Sequence, residues 1–195
     1  REDRRHIKDR DLFLLKENIT TYLNLEMACN EDVLSKAIEA KPYKVTLVPE
    51  KREEVTTEGG LDVKNNFKKI KEYCDILKNE GIKVSLFVEP DIDQLENYKK
   101  SGADEVEIHT GLYSLSPLAK KIEILKNIDL FSKKASELGF VVCAGHGLNY
   151  HNVDEICGIS EIVELNIGYS IITRSIFVGL DKAVKEMKNI LLQRG

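Results

Sequence analysis

The segment Asn79-Glu80-Gly81-Ile82-Lys83-Val84 ends one predicted helix and begins the next predicted strand, with a glycine between them. The same order of helix end, glycine and strand recurs at Lys100–Val106 and at Glu137–Val141, around Gly102 and Gly139. A glycine directly after a helix is a common C-terminal cap, because it adopts a positive φ without steric cost. Short αβ turns repeated in this way are typical of a (β/α)8 barrel.

On either side of these turns, β-rich stretches alternate with stretches that carry apolar residues at helical spacing. This alternation predicts an α/β fold with a parallel sheet. A doubly wound open sheet is the alternative, but it usually begins with a glycine-rich dinucleotide turn, and no G-x-G-x-x-G follows any predicted strand. The predicted strands are Tyr22–Met27, Lys44–Val48, Lys83–Val88, Glu105–His109, Phe140–Ala144 and Ile162–Ile167, and the predicted helices are Glu31–Ala40, Val63–Asn79, Ile92–Ser101, Lys120–Leu138 and Thr173–Leu192.

The chain opens at Arg1 without a methionine, and its six predicted strands are fewer than the eight of a closed barrel. We therefore expect residues 1–195 to form a single (β/α)8 TIM-barrel domain that is N-terminally incomplete. The missing part is expected to be about β1-α1-β2 of the barrel.

Composition and charge narrow the class of protein. The 195 residues are 42% hydrophobic, which suits one α/β domain with a substantial core. A net charge of −4 argues against a broad nucleic-acid or membrane surface, so any anion site must be local. The four cysteines lie far apart without a metal-site or disulfide spacing, which predicts reduced thiols and a cytoplasmic protein.

Alternation along the strands predicts which side chains face the barrel interior. Apolar residues that face the helix layer turn their polar neighbours inward, and catalytic groups of barrels lie at the carboxyl ends of strands. The inward polar residues predicted in this way are Asn24, Glu26, Glu107, His109, Glu164 and Asn166.

Glu26 is the foremost catalytic candidate, since a carboxylate flanked by apolar residues is costly to bury unless it is paired or functional. A structural ion pair with a neighbouring strand is the alternative. Glu107 lies earlier on its strand, and for it a structural and a functional role are equally open.

His146 stands between two glycines directly after a predicted strand. An imidazole in such an open turn suits a general acid or base, because imidazole titrates near neutral pH. The alternative is a helix cap, although Asn152 is available for that role. His151 is expected to be loop surface.

Three further segments are candidates for binding phosphate. Asn166–Ser170 leads from the last strand into a helix, where backbone N–H groups often bind phosphate. The cluster Arg1, Arg4, Arg5 and His6 either grips an oxyanion or is a solvated charge run. The long loop Pro49–Leu61, with Thr56 and Thr57, is either a lid or ordinary surface.

These residues together resemble the pyridoxine 5′-phosphate synthase family of vitamin B6 biosynthesis over essentially the whole chain. The resemblance implies a (β/α)8-barrel enzyme that condenses 1-deoxy-D-xylulose 5-phosphate with 3-amino-2-oxopropyl phosphate to give pyridoxine 5′-phosphate, phosphate and water. It implies no redox cofactor and no metal. The matching segments are Arg1–Ile7, Asn24–Ala28, Leu47–Leu61, Glu107–Gly111, Ala144–Asn152 and Glu164–Gly168.

The resemblance also implies residue roles and partners. Partners would be the two small phosphorylated substrates, with neither nucleic acid nor a membrane, and the chain would form a homo-oligomer, commonly an octamer. By the same resemblance Glu26 would be a general base, His146 a general acid and Glu107 a supporting carboxylate, with Arg1, His6 and Thr56 on the deoxyxylulose phosphate and Gly147, Gly168 and Tyr169 on the aminoketone phosphate.

The sequence departs from the family pattern in two places. The family's N-terminal strand and a further catalytic histidine just before Arg1 have no counterpart, so this chain by itself is expected to be inactive. Tyr169 stands where many members carry a histidine, which puts side-chain recognition there in doubt, although backbone N–H contacts to phosphate could survive the change.

Two other functions remain open at the level of sequence. One is a different phosphate-handling barrel enzyme, such as an isomerase or an aldolase, and the other is a non-enzymatic sensor of a phosphorylated metabolite. No lysine stands out at an inward strand end for Schiff-base chemistry, which disfavours the aldolase.

Overall fold

A computed structural model describes residues 5–49 and 59–193 of the chain. Its strands form one sheet in which neighbours in space are also neighbours in sequence. This sequential order is that of a (β/α)8 barrel, whereas the order of a doubly wound sheet reverses at a switch point. The predicted fold class is confirmed, as are all six predicted strands: β1 (Asn24–Met27), β2 (Lys44–Leu47), β3 (Lys83–Val88), β4 (Glu105–His109), β5 (Val141–Gly145) and β6 (Ile162–Asn166).

Helices follow or precede the strands in alternation, as predicted. Within the described residues they are α1 (Asp9–Asn18), α2 (Glu31–Ala40), α3 (Phe67–Asn79), α4 (Leu95–Lys100, preceded by a 3-10 turn at Ile92–Gln94), α5 (Gly111–Leu115), α6 (Leu118–Glu137), α7 (Val153–Cys157), α8 (Tyr169–Val178) and α9 (Leu180–Leu192).

Two helix predictions differ from the structure. The single helix predicted over Thr173–Leu192 is wrong, because Gly179 has a φ of 84° and separates α8 from α9. Helix α1 was not predicted from the sequence. It begins where the Lys8 backbone N–H donates to the Asp11 carboxylate at 3.0 Å, and its apolar residues form one consecutive run at positions 12–15.

The three glycines predicted to end helices have the expected backbone conformation. Gly81, Gly102 and Gly139 have φ values of 75°, 89° and 81°, each directly between a helix and a strand. Only glycine adopts this left-handed conformation without strain, so these three residues fix where each helix ends and each strand begins.

The chain divides into two compact units, Arg1–Glu107 and Ile108–Gly195. In the first unit, the parallel register places Glu26 beside Thr46 and Thr46 beside Ser85. Because register partners point to the same side of a sheet, these residues share one polar face. Alternation sends Met27, Leu47 and Leu86 to the opposite face, where all three are buried.

In the second unit, β5 and β6 pair in parallel, with an irregularity between Val142 and Cys143. Beyond this bulge, Cys143 pairs with Glu164 and Gly145 pairs with Asn166. The bulge resets the register, so the polar residues of β6 share a face with Gly145 at the end of β5.

Candidate functional site

His146 has a backbone conformation that is rare for its residue type. It follows the last residue of β5 and has a φ of 78°, in the left-handed region. Outside glycine this conformation costs about 1–2 kcal/mol, and it persists only where surrounding contacts impose it. Such strain at a strand end makes the turn a candidate functional site.

Thr110 is the first residue that imposes the conformation. Its backbone N–H and its hydroxyl both approach the Gly145 carbonyl at 2.8 Å, and the hydroxyl also lies 2.6 Å from the His146 carbonyl. Thr110 is fully buried, so these bonds are shielded from water. One threonine therefore holds the carbonyls on both sides of the turn into His146.

Asn152 holds the same turn from the other side. Its Nδ2 donates to the Gly147 carbonyl at 3.1 Å, and its Oδ1 accepts from the Asn149 N–H at 2.7 Å. The expectation that Asn152 caps a helix is wrong: it precedes α7, but its side chain makes no capping bond there. His146 lies too far before α7 to cap it either, so the alternative that this histidine is a helix cap does not apply to α7.

A second imidazole lies against His146. The ring centroids of His109 and His146 are 4.8 Å apart and the rings are tilted by 56°. Gly111 makes this arrangement possible, because a Cβ there would overlap the His109 ring and crowd His146. The end of β4 and the turn after β5 thus bring two imidazoles together.

The two predicted phosphate-binding glycines are also brought into one region. The Ser170 hydroxyl, in the first turn of α8, donates to the Leu148 carbonyl at 3.0 Å, and so ties the start of α8 to the turn that contains Gly147. Gly168 immediately precedes α8, and a Cβ there would meet open space. Tyr169 is 86% exposed. Backbone N–H groups at the start of a helix are suited to binding an anion.

In the first unit, Glu26 lies near the carboxyl end of β1. The Glu26 side chain is exposed, and its partial desolvation by the surrounding protein raises the pKa of the carboxyl group above the usual value. Glu26 forms no ion pair with another residue of 5–49 or 59–193, which disfavours a structural pair within the described chain. A carboxylate whose pKa is raised toward neutrality is suited to general-base chemistry.

Sequence reasoning missed two buried charges on the face of the sheet that also carries Glu26. The Lys44 ammonium lies 2.8 Å from the Glu105 carboxylate, with side chains only 2% and 5% exposed. The alternation rule that found Glu26 also applies to Lys44-Val45-Thr46-Leu47 and could have found this lysine. Lys44 is at the start of its strand and is ion-paired, so it does not supply the reactive amine of an aldolase.

The remaining predicted residues have these positions. Glu107 is buried, whereas His6 and His151 are exposed. Arg1 and Thr56 lie outside the described residues. At the end of the long loop, the Gly60 N–H donates to the Glu89 carboxylate at 2.9 Å and the Leu61 N–H to the Phe87 carbonyl at 2.7 Å, so this part of the loop is attached to the end of β3.

Neither metal nor membrane features are found in the described part of the chain. Residues 5–49 and 59–193 contain no group of three or more His, Cys, Asp or Glu side chains placed to hold a metal ion. None of the helices within these ranges is both long and apolar enough to cross a membrane.

Sequential parallel strands that alternate with helices define a protein of the (β/α)8-barrel class. Two solved structures are similar in fold. 3-Keto-L-gulonate-6-phosphate decarboxylase from Vibrio cholerae has a TM-score of 0.63 at 12% identity, covering 96% of this chain and 80% of that one. A KGPDC from Streptococcus mutans has a TM-score of 0.67 at 11% identity, covering 95% and 79%.

Sequence comparison identifies the family. Residues 1–193 match the family model described as pyridoxal phosphate biosynthesis protein PdxJ. A pyridoxine 5′-phosphate synthase from Prochlorococcus marinus (strain MIT 9312) is 51% identical over 98% of this chain and 80% of its own length. One from Pseudoalteromonas translucida is 50% identical over 99% and 80%. The chain belongs to the PdxJ family of pyridoxal phosphate biosynthesis, and the predicted resemblance is confirmed.

Proposed function

We propose that this protein is a pyridoxine 5′-phosphate synthase that condenses 1-deoxy-D-xylulose 5-phosphate with 3-amino-2-oxopropyl phosphate, giving pyridoxine 5′-phosphate, phosphate and water. The observation that carries the proposal, beyond family membership, is His146, held at a φ of 78° at the end of β5. A reaction that must deliver protons at a defined position needs a histidine whose backbone is held in place, as Thr110 and Asn152 hold the turn at His146.

His146 is proposed as the general acid. Loss of water from a condensing amine and ketone requires a proton at the departing oxygen, and imidazole delivers protons near neutral pH. The contacts from Thr110 and Asn152 hold the backbone on both sides of His146, and accurate placement accounts for much of the rate gain in such reactions.

Glu26 is proposed as the general base. Ring formation requires removal of protons from carbon, and a base is most effective when its pKa lies near the working pH. The raised pKa of Glu26 supports this role, as does its place near the carboxyl end of β1. Glu107, which is buried on β4, is proposed as a supporting carboxylate.

The two phosphate groups are proposed to orient the substrates. Gly147, Gly168 and Tyr169 would bind the aminoketone phosphate through backbone N–H groups, a role supported by the link between the Gly147 turn and the start of α8. Arg1, His6 and Thr56 would bind the deoxyxylulose phosphate. Binding energy from groups remote from the reacting atoms then lowers the barrier.

We further infer from the family resemblance that residues 1–195 belong to one barrel domain. The same resemblance suggests a cytoplasmic homo-oligomer, commonly an octamer, that works without a cofactor or metal. Sedimentation of the protein expressed from its complete reading frame measures the assembly state.

The decisive experiment is mass spectrometry of the protein, expressed from its complete reading frame, after incubation with both substrates. We expect a new species with the mass of pyridoxine 5′-phosphate. Glu26→Gln is expected to lower turnover on the order of 10²- to 10⁴-fold, because the base is lost while the shape is kept. Glu123→Gln, an exposed glutamate on α6, is the matched control and should leave turnover unchanged.

The outcomes separate the alternatives. Absence of the product with the wild type would refute the synthase. Binding of both phosphates without turnover would favour a sensor. Full turnover by Glu26→Gln would remove the base role from Glu26 while leaving the synthase intact.

A further inference from the structure

The Ser170 side chain joins the turn after β5 to the start of α8. Ser170 is the second residue of α8 (Tyr169–Val178), and its hydroxyl donates to the Leu148 carbonyl at 3.0 Å, across 22 positions of sequence. Leu148 directly follows Gly147, and its side chain is buried. The bond therefore connects the first turn of α8 to a turn that is itself anchored in the core.

Exposed backbone lies at both ends of this connection, because Gly147 and Gly168 are both exposed. Gly168 directly precedes α8, and the first N–H groups of a helix have no acceptor within it. Among the described residues, a Cβ at Gly168 would meet open space, whereas at Gly147 a φ of 75° and overlap with the Ser114 side chain disfavour one. Both stretches of backbone are therefore accessible to a ligand that accepts hydrogen bonds.

Other contacts attach the same turn and the same helix to α9. The Tyr150 hydroxyl, in the turn, donates to the Ala183 carbonyl of α9 at 2.8 Å. Arg174 of α8 donates to the Glu186 carboxylate of α9, also at 2.8 Å. The Ser170 bond instead attaches the turn and α8 to each other, next to the two glycines. Loss of the Ser170 hydroxyl would leave both attachments to α9 in place.

We propose that Ser170 is a positioning residue for the aminoketone phosphate, whose bond to Leu148 sets the spacing between the backbone N–H groups at Gly147 and those at Gly168 and the start of α8. This inference rests on the proposed function, because it takes the phosphate and its two glycines from there. A serine hydroxyl has one proton to donate, and the Leu148 carbonyl accepts it. Ser170 therefore acts through the turn and not as a ligand of the phosphate.

Spacing matters here because the phosphate would be held from two separate parts of the chain. Hydrogen bonds to a charged oxygen are short and depend on accurate placement of the donor. Donors that are already at the right separation bind more tightly than donors that must be ordered when the ligand arrives. A bond between the two groups of donors supplies that order in the free protein.

The test is Ser170→Ala in the protein expressed from its complete reading frame, with the dissociation constant of each substrate measured separately by titration. The dissociation constant of 3-amino-2-oxopropyl phosphate should rise on the order of tenfold, the effect of losing about one neutral hydrogen bond. The dissociation constant of 1-deoxy-D-xylulose 5-phosphate should not change, because its proposed ligands are not in this turn or in α8.

Ser175→Ala is the matched control. Ser175 lies in the same helix and is also half-buried, but its hydroxyl donates to the Ile172 carbonyl within α8 at 2.7 Å. Its replacement removes a serine hydroxyl without touching the turn, so it should leave both dissociation constants at the wild-type value. Thermal unfolding of the two alanine variants shows whether they are equally well folded.

The preference for one substrate separates positioning from a general structural role. Weaker binding of the aminoketone phosphate alone, in Ser170→Ala alone, supports the inference. Wild-type affinity in Ser170→Ala would overturn it. Equal weakening for both substrates, or the same weakening in Ser175→Ala, would also overturn it, because a loosened helix and not the spacing of the donors would then be the cause.

Titration also keeps this inference apart from the proposed function. If the wild type makes pyridoxine 5′-phosphate and Ser170→Ala binds both substrates as the wild type does, only the inference on Ser170 fails. If the wild type binds the aminoketone phosphate but makes no product, the synthase fails, and the two alanine variants still decide the role of Ser170. A wild type that does not bind the aminoketone phosphate refutes both.

Discussion

Polar groups at the strand starts of the first unit and at the strand ends of the second unit differ in how fully their bonds are satisfied. At the start of β2 and β4, Lys44 and Glu105 form a closed ion pair 2.8 Å long. After β5, His146 is held in a left-handed conformation, and at the end of β6 the Asn166 Nδ2 lacks a partner within the described residues. The first arrangement is satisfied by the protein itself, whereas the second stores strain and leaves a donor unmet.

This difference separates a structural role from a functional one. In a closed pair both charged groups are already bonded to each other, so neither is available to a ligand. Such a pair fills the space between strands without leaving an isolated charge. A strained histidine and an unmet donor cost stability, and they persist where a ligand or a reaction requires them. The comparison predicts that changes at the strand starts affect folding, whereas changes at the strand ends affect turnover.

The largest expected effect is at His146. His146→Gly should lower turnover on the order of 10²- to 10⁴-fold, since the proposed general acid is lost. The same change should stabilise the fold by up to about 1 kcal/mol, because glycine adopts positive φ without strain. Steady-state kinetics and thermal unfolding measure the two effects.

His151→Gly is the matched control for this experiment. His151 is an exposed loop histidine without a positive φ, so glycine there should keep turnover and lower stability by up to about 1 kcal/mol. Full turnover of His146→Gly would show that strain at this position has another cause than catalysis.

The next effect concerns the strand start. Lys44→Met leaves Glu105 buried without its partner and should lower the free energy of unfolding by about 3–5 kcal/mol, with turnover per folded molecule retained. The double variant Lys44→Met/Glu105→Leu should recover most of that loss. Urea denaturation of both variants provides the measurement.

Lys78→Met is the corresponding control on a more exposed pair. The Lys78 ammonium lies 2.9 Å from the Asp104 carboxylate, but the side chains are 42% and 34% exposed. Its loss should cost less than about 1 kcal/mol. Similar losses of unfolding free energy for Lys44→Met and Lys78→Met would show that burial of the Lys44–Glu105 pair does not determine its effect on stability.

A smaller effect is expected at Thr110. Thr110→Val removes the hydroxyl that approaches the Gly145 and His146 carbonyls and keeps the backbone bond. A looser His146 should lower kcat by roughly tenfold to a hundredfold with little change in KM, because placement rather than binding is affected.

Thr173→Val is the matched control, since the Thr173 hydroxyl also lies near two carbonyls, those of Tyr169 and Ser170 within α8. It should leave kcat unchanged. Equal losses from the two valine variants would indicate a general packing effect instead of positioning of His146.

The smallest effect is a pH dependence of stability at Glu26. Partial desolvation raises the folded-state pKa of Glu26 above its ordinary value of 4.5, so the folded protein holds this proton more tightly than the unfolded chain. The resulting stabilisation is complete below pH 4.5 and is lost as pH rises through the folded pKa. Glu26→Gln should therefore be more stable than the wild type at pH 7, and the gain should shrink on acidification.

Unfolding curves of both proteins across this pH range measure the difference. A gain that does not vary with pH would show that the carboxyl group is not desolvated. The acid limb of kcat/KM in the wild type should likewise lie at a higher pH than an ordinary glutamate would give.

Local patterns determined much of the fold. The glycines at 81, 102 and 139 and the alternation of apolar and polar residues gave all six strands, because both signals depend on neighbours within a few residues. The same alternation selected Glu26 and Asn166. The break at Gly179 was missed because a lone glycine inside an apolar helical pattern is compatible with an uninterrupted helix.

The tertiary structure alone decided how the site is held. Lys44 meets Glu105 across 61 positions of sequence, and Thr110 meets the turn at His146 across 36. The left-handed turn at His146 is held by that distant contact from Thr110, and also by Asn152, which bonds to Gly147 five positions away instead of capping α7. Periodicity records which face a residue takes, whereas the partner on that face is set by how separate strands align.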